Sequence, residues 1–572
     1  VRSVVAGPSA AVLPAVSVAR VLPDVAALDR EFDYAAGEGI ALGTIVRIDL
    51  HGRRVGGWVV GFADRPATDR PLKPIARVSG LGPPPELIEL AGWAAWRWAG
   101  RRSAFLKAAS PHRMVRALPP PGPWRAAPEG FRVDVVRVPP AADTYRTVLR
   151  AVRGRTALVL DPSVAGASAL AARLRADGVP VASVPDEWAA AAAGGRVVVG
   201  ARSAAWAPAP GLGVAVVLDE HDEAYAEERA PTWNARDVVV ERARRAGARV
   251  VLVSPAPSLE ALELVARPAV PSRAEERAGW PVLEIVDRRR EDPRHGLVSD
   301  RLVALVRSGR RVVCVLNRTG RSRLSACAGC GELARCETCT AAVEDRDGTL
   351  VCARCGTTRP VVCAACGAGR LAVLRPGVAR LREEIEAVAG EPVGLVDRTT
   401  VEHPDARVVV GTEAALHRVG AAGAVAFCDF DQELCAPRVR AAERAMALLV
   451  RAARLVGGRS GGGRLLVQTR VPHHEVLDAA LHADPGRLVA AERARRQAVG
   501  FPPFAALAVV SGEAAGDVAE ALGERPGISV LGPARGRWLV RAPDHRTLCD
   551  ALAATPRPAK GRVRIEVDPL GV

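Results

Sequence analysis

Short continuous apolar runs recur along the middle of this chain: "TALVLD" (156–161), "RVVVGA" (196–201), "GVAVVLDE" (213–220) and "ARVVLVS" (248–254). Helical-period stretches such as "SVAGASALAARLRADG" (163–178) separate them. A strand that is apolar on both faces must be covered on both, which predicts a parallel sheet of βα units. A second set predicts a second α/β lobe: "RRVVCVLN" (310–317), "VGLVD" (393–397), "ARVVVGT" (406–412), "AVAFCDF" (424–430) and "GRLLVQT" (463–469).

The two ends of the chain read differently. "GTIVRIDLHGRRVGGWVVGF" (43–62) is two alternating runs around a Gly/Arg turn, the pattern of a β-hairpin in a small barrel-like domain. "PPELIELAGWAAWRWAG" (84–100) has helical period behind a Pro-rich start. "ALPPPGPWRAAPEG" (117–130) reads as an extended linker. From about residue 500, "GFPPFAALAVVSG" through "RVRIEVDPLGV" reads as a small α+β domain. The expected fold class is multidomain α/β. It has an N-terminal β-rich domain (1–115), a linker (116–130), a first lobe (131–270) and a second lobe (271–323 and 372–470). An insertion (324–371) interrupts the second lobe, and a C-terminal domain (471–572) follows.

At 572 residues the chain is long enough for several cores, and its formal charge of +16 favours a polyanionic partner, nucleic acid first. Bias toward Arg codons is the bland alternative, since Lys73, Lys107 and Lys560 are the only lysines. No apolar run reaches membrane-spanning length. "VRSVVAGPSAAVLPAVSVARVL" loosely resembles a signal peptide, but Pro8 and Pro14 interrupt it and no clear cleavage site follows. A cytoplasmic chain without membrane partners is expected.

Eight cysteines fall between positions 327 and 366, spaced C-x2-C-x5-C-x2-C-x12-C-x2-C-x7-C-x2-C. Each Cys-x-x-Cys turn supplies one edge of a thiolate tetrahedron, so the spacing predicts two structural zinc ions. "TAAVEDRDGTLV" reads as a hairpin turning at Asp347-Gly348, which would bring Cys336 and Cys339 against Cys352 and Cys355. Cys327, Cys330, Cys363 and Cys366 would then hold the other ion; pairing of adjacent knuckles is the alternative. Four-thiolate sites leave no open position for catalysis. Cys314, Cys428, Cys435 and Cys549 lie in strand or helix patterns and read as apolar fillers.

Two lobes, a four-knuckle insertion and basic charge together resemble the PriA family of bacterial replication-restart proteins (primosomal protein N-prime). The resemblance is carried by "VARVLPDVAALDREFDY", "VVVGARSAAWAPAPGLG" (197–213), "DEHDEAYAEERAPTWNARDV" (219–238), "LNRTG" (316–320), the cysteine spacing, "GFPPF" (500–504) and "VDPLG" (567–571). It implies a 3′-end DNA-binding domain, two superfamily 2 helicase-like (RecA-like) lobes and use of ATP with magnesium.

The motor residues that the resemblance implies are missing from this chain. No Gly-Lys-Ser/Thr occurs, and the phosphate-loop position reads "VPPAADTYRTVLRAVRGR". The family's Asp-Glu-Glu-His falls on Leu218, Asp219, Glu220 and His221, so the magnesium carboxylate becomes leucine; a register using Asp219 and Glu220 is the alternative. The coupling motif becomes "VSPAPS" (253–258), and the Gln of "GTQM" becomes Glu413. The arginine-finger position becomes Leu455, with Arg451 and Arg454 as neighbours.

The resemblance therefore implies a zinc-stabilised protein for replication restart, without helicase activity of its own, in the nucleoid. It would recognise branched or 3′-ended and single-stranded DNA, and bind primosome proteins and the replicative helicase. Arg53, Arg54, Arg101 and Arg102 are candidate phosphate contacts. The alternative is an active ATP-dependent 3′–5′ DNA helicase with an unusual nucleotide site. His473 and His474 read as the start of a helix, and "DFDQELCAPRVRAAER" (429–444) as part of the interlobe surface.

Overall fold

The computed structural model describes residues 18–25, 28–68, 71–125, 130–289, 296–317, 325–373, 378–558 and 560–571. The signal-like residues 1–17, and Arg318, Thr319 and Gly320 of "LNRTG", lie outside the described residues.

The N-terminal sheet is antiparallel: β1 (Val18–Pro23), β2 (Phe32–Ala35), β3 (Ile45–Leu50), β4 (Arg53–Ala63) and β5 (Arg77–Gly80), in the order β2-β1-β4-β3-β5. His51 and Gly52 turn the β3–β4 hairpin with φ of 47° and 79°, the left-handed pair that suits the twist of a two-residue turn. Along β3, Val46, Ile48 and Leu50 point into the core, while Arg47 points out. Two helices cover the sheet, α1 (Pro85–Arg97) and α2 (Arg102–Ala109). Proline at the first turn suits α1, whose N–H groups there have no helical partner. A run of ring contacts then crosses from these helices into the next lobe. It passes from Trp93 to Trp98 (5.2 Å), Phe105 (6.3 Å), Trp206 (5.2 Å) and Trp233 (5.7 Å).

The first lobe is a six-stranded parallel sheet ordered Arg132–Arg137, Arg249–Ser254, Val214–Leu218, Ala157–Leu160, Val197–Gly200, Val181–Ser183. The second is a seven-stranded sheet ordered Val282–Asp287, Arg464–Thr469, Ala424–Phe427, Val312–Val315, Val408–Gly411, Gly394–Val396, Val401–Glu402. Only its last pair is antiparallel. Every apolar run singled out above forms one of these strands. The "linker" is docked rather than free: Gly122 and Trp124 donate backbone N–H groups to the carbonyls of Gly194 and Gly195.

A four-stranded antiparallel sheet, Ser529–Ala534, Arg537–Ala542, Ala506–Ser511, Arg564–Val567, closes the chain. Its core is continuous with α1, α2 and the first lobe. Arg97 on α1 is buried against Asp568 at 2.6 Å, and His545 meets the other oxygen of that carboxylate at 2.8 Å. The helix α1 and the C-terminal sheet therefore fold as neighbours. No helix among the described residues is long and apolar enough to cross a membrane.

Candidate functional site

The four Cys-x-x-Cys knuckles share one backbone design. In each, the N–H of the residue after the second cysteine returns to the carbonyl of the first: Gly331 to Cys327, Thr340 to Cys336, Gly356 to Cys352 and Gly367 to Cys363, at 2.9–3.0 Å. All four donors have positive φ, between 63° and 80°, so glycine is preferred and Thr340 is the exception. The strands Val343–Arg346 and Thr349–Cys352 form the hairpin between the second and third knuckles, turning at Asp347 and Gly348.

Two groups of four thiols result: Cys327, Cys330, Cys363 and Cys366, and Cys336, Cys339, Cys352 and Cys355, with sulfurs within 4.8 Å of one another in each. This is the nested grouping. The contacts between knuckles are 3.4–3.6 Å, against a tetrahedral edge of about 3.8 Å for Zn–S bonds of about 2.3 Å. The donor set therefore fits a tetrahedral thiophilic cation. The contact between Cys339 and Cys352 holds Cys352 down at about 5 and pushes Cys339 up, the behaviour of thiols sharing a proton where a cation would ionise both. Cys314, Cys428, Cys435 and Cys549 are buried elsewhere.

Between the lobes, ion pairs line a cleft that keeps a cavity of about 70 Å³ beside Asp219, Asp222, Glu413 and Arg451. The Arg132–Arg137 strand leads into Val138-Pro139-Pro140, which turns tightly, Ala142 N–H to Pro139 carbonyl, before the Tyr145–Val152 helix. Ala141 donates to the Gly279 carbonyl across the cleft, and a Cβ at Gly279 would lie 2.2 Å from that of Pro139. Leu218 ends its strand with its side chain in the apolar core. Asp219 follows with φ of 48°, and Arg454 forks its carboxylate at 2.6 and 2.8 Å. Glu220 is buried and accepts from the Ser258 N–H (2.7 Å), the Ser258 hydroxyl (2.8 Å) and Arg236 (3.4 Å). His221 Nδ1 lies 2.7 Å from the Ser254 hydroxyl.

The arginines facing these acids come from the Ala441–Val456 helix. Arg444, Arg451 and Arg454 stand at i, i+7 and i+10, on one helical face. Arg451 reaches Asp222 at 2.8 Å; Arg444 contacts Glu223 and reaches Glu413 at 2.8 Å. Leu455 packs beside the second lobe's core. Deeper in, Arg496 of the Gly486–Val499 helix is fully buried, with Glu443 at 2.6 Å, Glu492 at 2.8 Å and Glu260 at 3.1 Å. Burial alone would raise Glu260, but Arg440 and Arg496 outweigh it and hold the carboxyl well below its ordinary range. His474 caps the Glu475–Leu481 helix by accepting from the Val476 N–H, and Glu433, Arg440, Glu443 and Arg444 of the 429–444 stretch all face this network.

The candidate phosphate contacts separate into two kinds. Arg53 and Arg54 are exposed at the hairpin tip, Arg54 near Asp49 at 3.5 Å. Arg101 and Arg102 are half-buried, and Arg102 is committed to Glu31 at 2.7 Å, with its amide on Asp29; it is a structural residue. Arg47 and Arg77, paired across β3 and β5, were overlooked, although the outward phase of "IVRIDL" marks Arg47. Both are exposed, without an ion pair among the described residues.

Family models match residues 20–111 as a 3′DNA-binding domain and residues 497–570 as a primosomal protein N C-terminal domain. A probable replication restart protein PriA of Mycobacterium tuberculosis H37Rv is 30% identical over 589 residues, covering 85% of each chain. One from Mycobacterium leprae is 28% identical over 95% of this chain and 99% of its own. Among solved structures, Saccharomyces cerevisiae Dbp5 bound to RNA and ADP BeF3 covers 73% of this chain and 98% of its own, at 10% identity and a TM-score of 0.34. At that score the lobes are defined by their own strand order.

Proposed function

The chain belongs to the family of replication restart proteins PriA, and on that premise we propose that it is a DNA-binding primosome protein whose motor has been replaced by a fixed joint. It recognises branched or 3′-ended DNA at stalled forks through residues 1–115 and promotes loading of the replicative helicase. It does so in the nucleoid with other primosome proteins. The division into two helicase-like lobes, a two-zinc insertion and a C-terminal domain follows the boundaries given above.

The observation that carries this reading is the Arg454 fork on Asp219. Phosphoryl transfer needs a lysine and backbone cradle on the phosphates, a magnesium carboxylate and a mobile cationic finger. Here the cradle is a proline turn, the carboxylate next in line is already neutralised, and the arginines that face it belong to an interlobe ion-pair layer. Such a joint suits a scaffold that holds its domains at constant angle on DNA. Bound zinc would supply a structural cross-link through Cys327, Cys330, Cys363 and Cys366, and a second through Cys336, Cys339, Cys352 and Cys355.

The test is DNA-stimulated ATP hydrolysis by zinc-loaded protein, with binding to forked DNA followed in parallel at low and moderate salt. Salt-sensitive fork binding with turnover no higher than the no-enzyme control is expected. DNA-dependent turnover that co-purifies with the chain would overturn the reading in favour of an active helicase.

A further inference from the structure

The two cysteine clusters are built alike but placed differently. Cys336, Cys339 and Cys352 are at most 3% exposed, and they pack with Ala334, Ala341, Val343 and Leu350 in the insertion's own apolar core. The half-buried Cys355 has the Thr357 hydroxyl 3.1 Å from its sulfur. Arg354, also buried, ties this cluster to the second lobe by donating to the carbonyls of Cys339 and Val439. In the other cluster, Cys327 and Cys363 are buried, while Cys330 and Cys366 are exposed. That cluster sits at the insertion's neck. Cys327 ends the strand Ser325–Cys327 on the outward pass, which pairs with Leu371–Val373 on the return.

We propose that Cys330 and Cys366 are a modification site for peroxide-class oxidants, and that oxidation there ejects the metal of the neck cluster alone. The proposal rests on the zinc reading above. A zinc-held thiolate remains a nucleophile at sulfur, and access then decides which one reacts. The Cys330 thiolate attacks the O–O bond. Its sulfur keeps one oxygen as a sulfenic acid, and the other leaves as hydroxide or alkoxide, which takes a proton from water. Cys363, 3.6 Å from Cys330, attacks that sulfur, so an S–S bond forms and a second hydroxide leaves. Two thiolates have lost two electrons, and the peroxide has been reduced to water, or to water and an alcohol. Cys366 and Cys327, 3.5 Å apart, offer the equivalent pair. With two of four ligands gone the zinc departs as the aquated ion, and a dithiol reverses the change. The core cluster and its Arg354 anchor stay in place, so the insertion stays folded while its neck loosens.

The experiment treats zinc-loaded full-length protein with hydrogen peroxide, follows released zinc with a colorimetric chelator, and maps thiols by alkylation and mass spectrometry. One of two zinc ions should leave about tenfold faster than the other. The first cross-linked peptides should join Cys330 to Cys363 or Cys327 to Cys366, with far-UV circular dichroism unchanged. The C330S/C366S variant should carry one zinc and lack the fast phase. Equal release of both ions, or first oxidation at Cys336, Cys339, Cys352 or Cys355, overturns the proposal. A preparation with other than two zinc ions overturns the metal reading instead. The ejection step falls with it, and the order of alkylation then decides the modification site alone: Cys330 and Cys366 reacting first supports it, and any other order refutes it.

Discussion

Arg454 lays its guanidinium on the carboxylate of Asp219, Nη1 to Oδ2 at 2.6 Å and Nη2 to Oδ1 at 2.8 Å, and turns its Nε to the Pro140 carbonyl at 3.2 Å. One side chain of the second lobe thus engages both Asp219 and the proline turn of the first. Burial would raise Asp219, but the fork outweighs it and keeps the carboxyl below its ordinary value. Arg454→Ala should lower stability by about 1–3 kcal/mol, the lower part of the range reflecting the partly exposed guanidinium. It should also enlarge the radius of gyration in small-angle scattering as the lobes part. An unchanged radius and melting curve would show that the lobes are held without this pair.

Arg496 should matter more. It is fully buried, joins acids from both lobes and its own helix, and accommodates Pro502 by donating to its carbonyl. Arg496→Ala leaves Glu260 with Arg440 and Glu492 with Arg495, but leaves Glu443 in the interior without an ion pair among the described residues, and a loss of about 3–5 kcal/mol is expected. Lysine should rescue little of this, because a point charge cannot serve three carboxylates in a plane. Urea unfolding of the two variants beside the parent chain is the check.

Much of this architecture is legible in the sequence because its central strands are uninterrupted apolar runs. Two strands that escaped, Arg132–Arg137 and Val282–Asp287, are sheet edges, where charges break the run. Asp134 in the first is matched by Arg249 on the neighbouring strand, a pairing no periodicity reveals. The knuckle spacing carries the cysteine geometry because each turn is local. What the sequence does not show is the Arg444, Arg451 and Arg454 layer, since its partners on the other lobe lie more than 200 positions away. The absence of a Gly-Lys-Ser/Thr run can be noticed by inspection; the ion pairs between the lobes require the fold.

Glu413 sets a pH dependence. Arg444 is shared among Glu223, Glu413 and Glu433, so carboxylates outnumber cations at that point. Burial first, then Glu433, push Glu413 up to about 7. The folded state therefore keeps a proton that the unfolded chain releases near its ordinary value. The associated stability is complete below about pH 4.5 and is lost as pH rises through about 7, with a slope of at most about 1.4 kcal/mol per pH unit for one proton. Asp431, pushed up to about 7 by burial and Asp429, adds to the same fall, and His474, brought down to about 4 by burial, opposes it, whereas Asp219 and Asp568, both held low, do not titrate in that window. The unfolding midpoint should fall between pH 5 and 8. Glu413→Gln, which keeps an oxygen for Arg444, should flatten the fall; an unaltered slope would assign it to another group.

The N-terminal domain separates exposed arginines from arginines that hold the fold. Arg47 and Arg77 lie side by side across β3 and β5, exposed and without an ion pair among the described residues, whereas Arg102 is joined to Glu31. A phosphate contact releases counterions, so each one lost should weaken binding uniformly across sequences and reduce the salt slope by about one unit. Arg47→Ala and Arg77→Ala should each do this in fluorescence anisotropy titrations of forked DNA across a salt series, with melting temperature unchanged. Arg102→Ala should behave oppositely, lowering the melting temperature while leaving the slope near that of the parent, because its guanidinium is already spent on a carboxylate. A reduced slope for Arg102→Ala together with a parental slope for Arg47→Ala would move the DNA path off the outer strands and toward the start of α2.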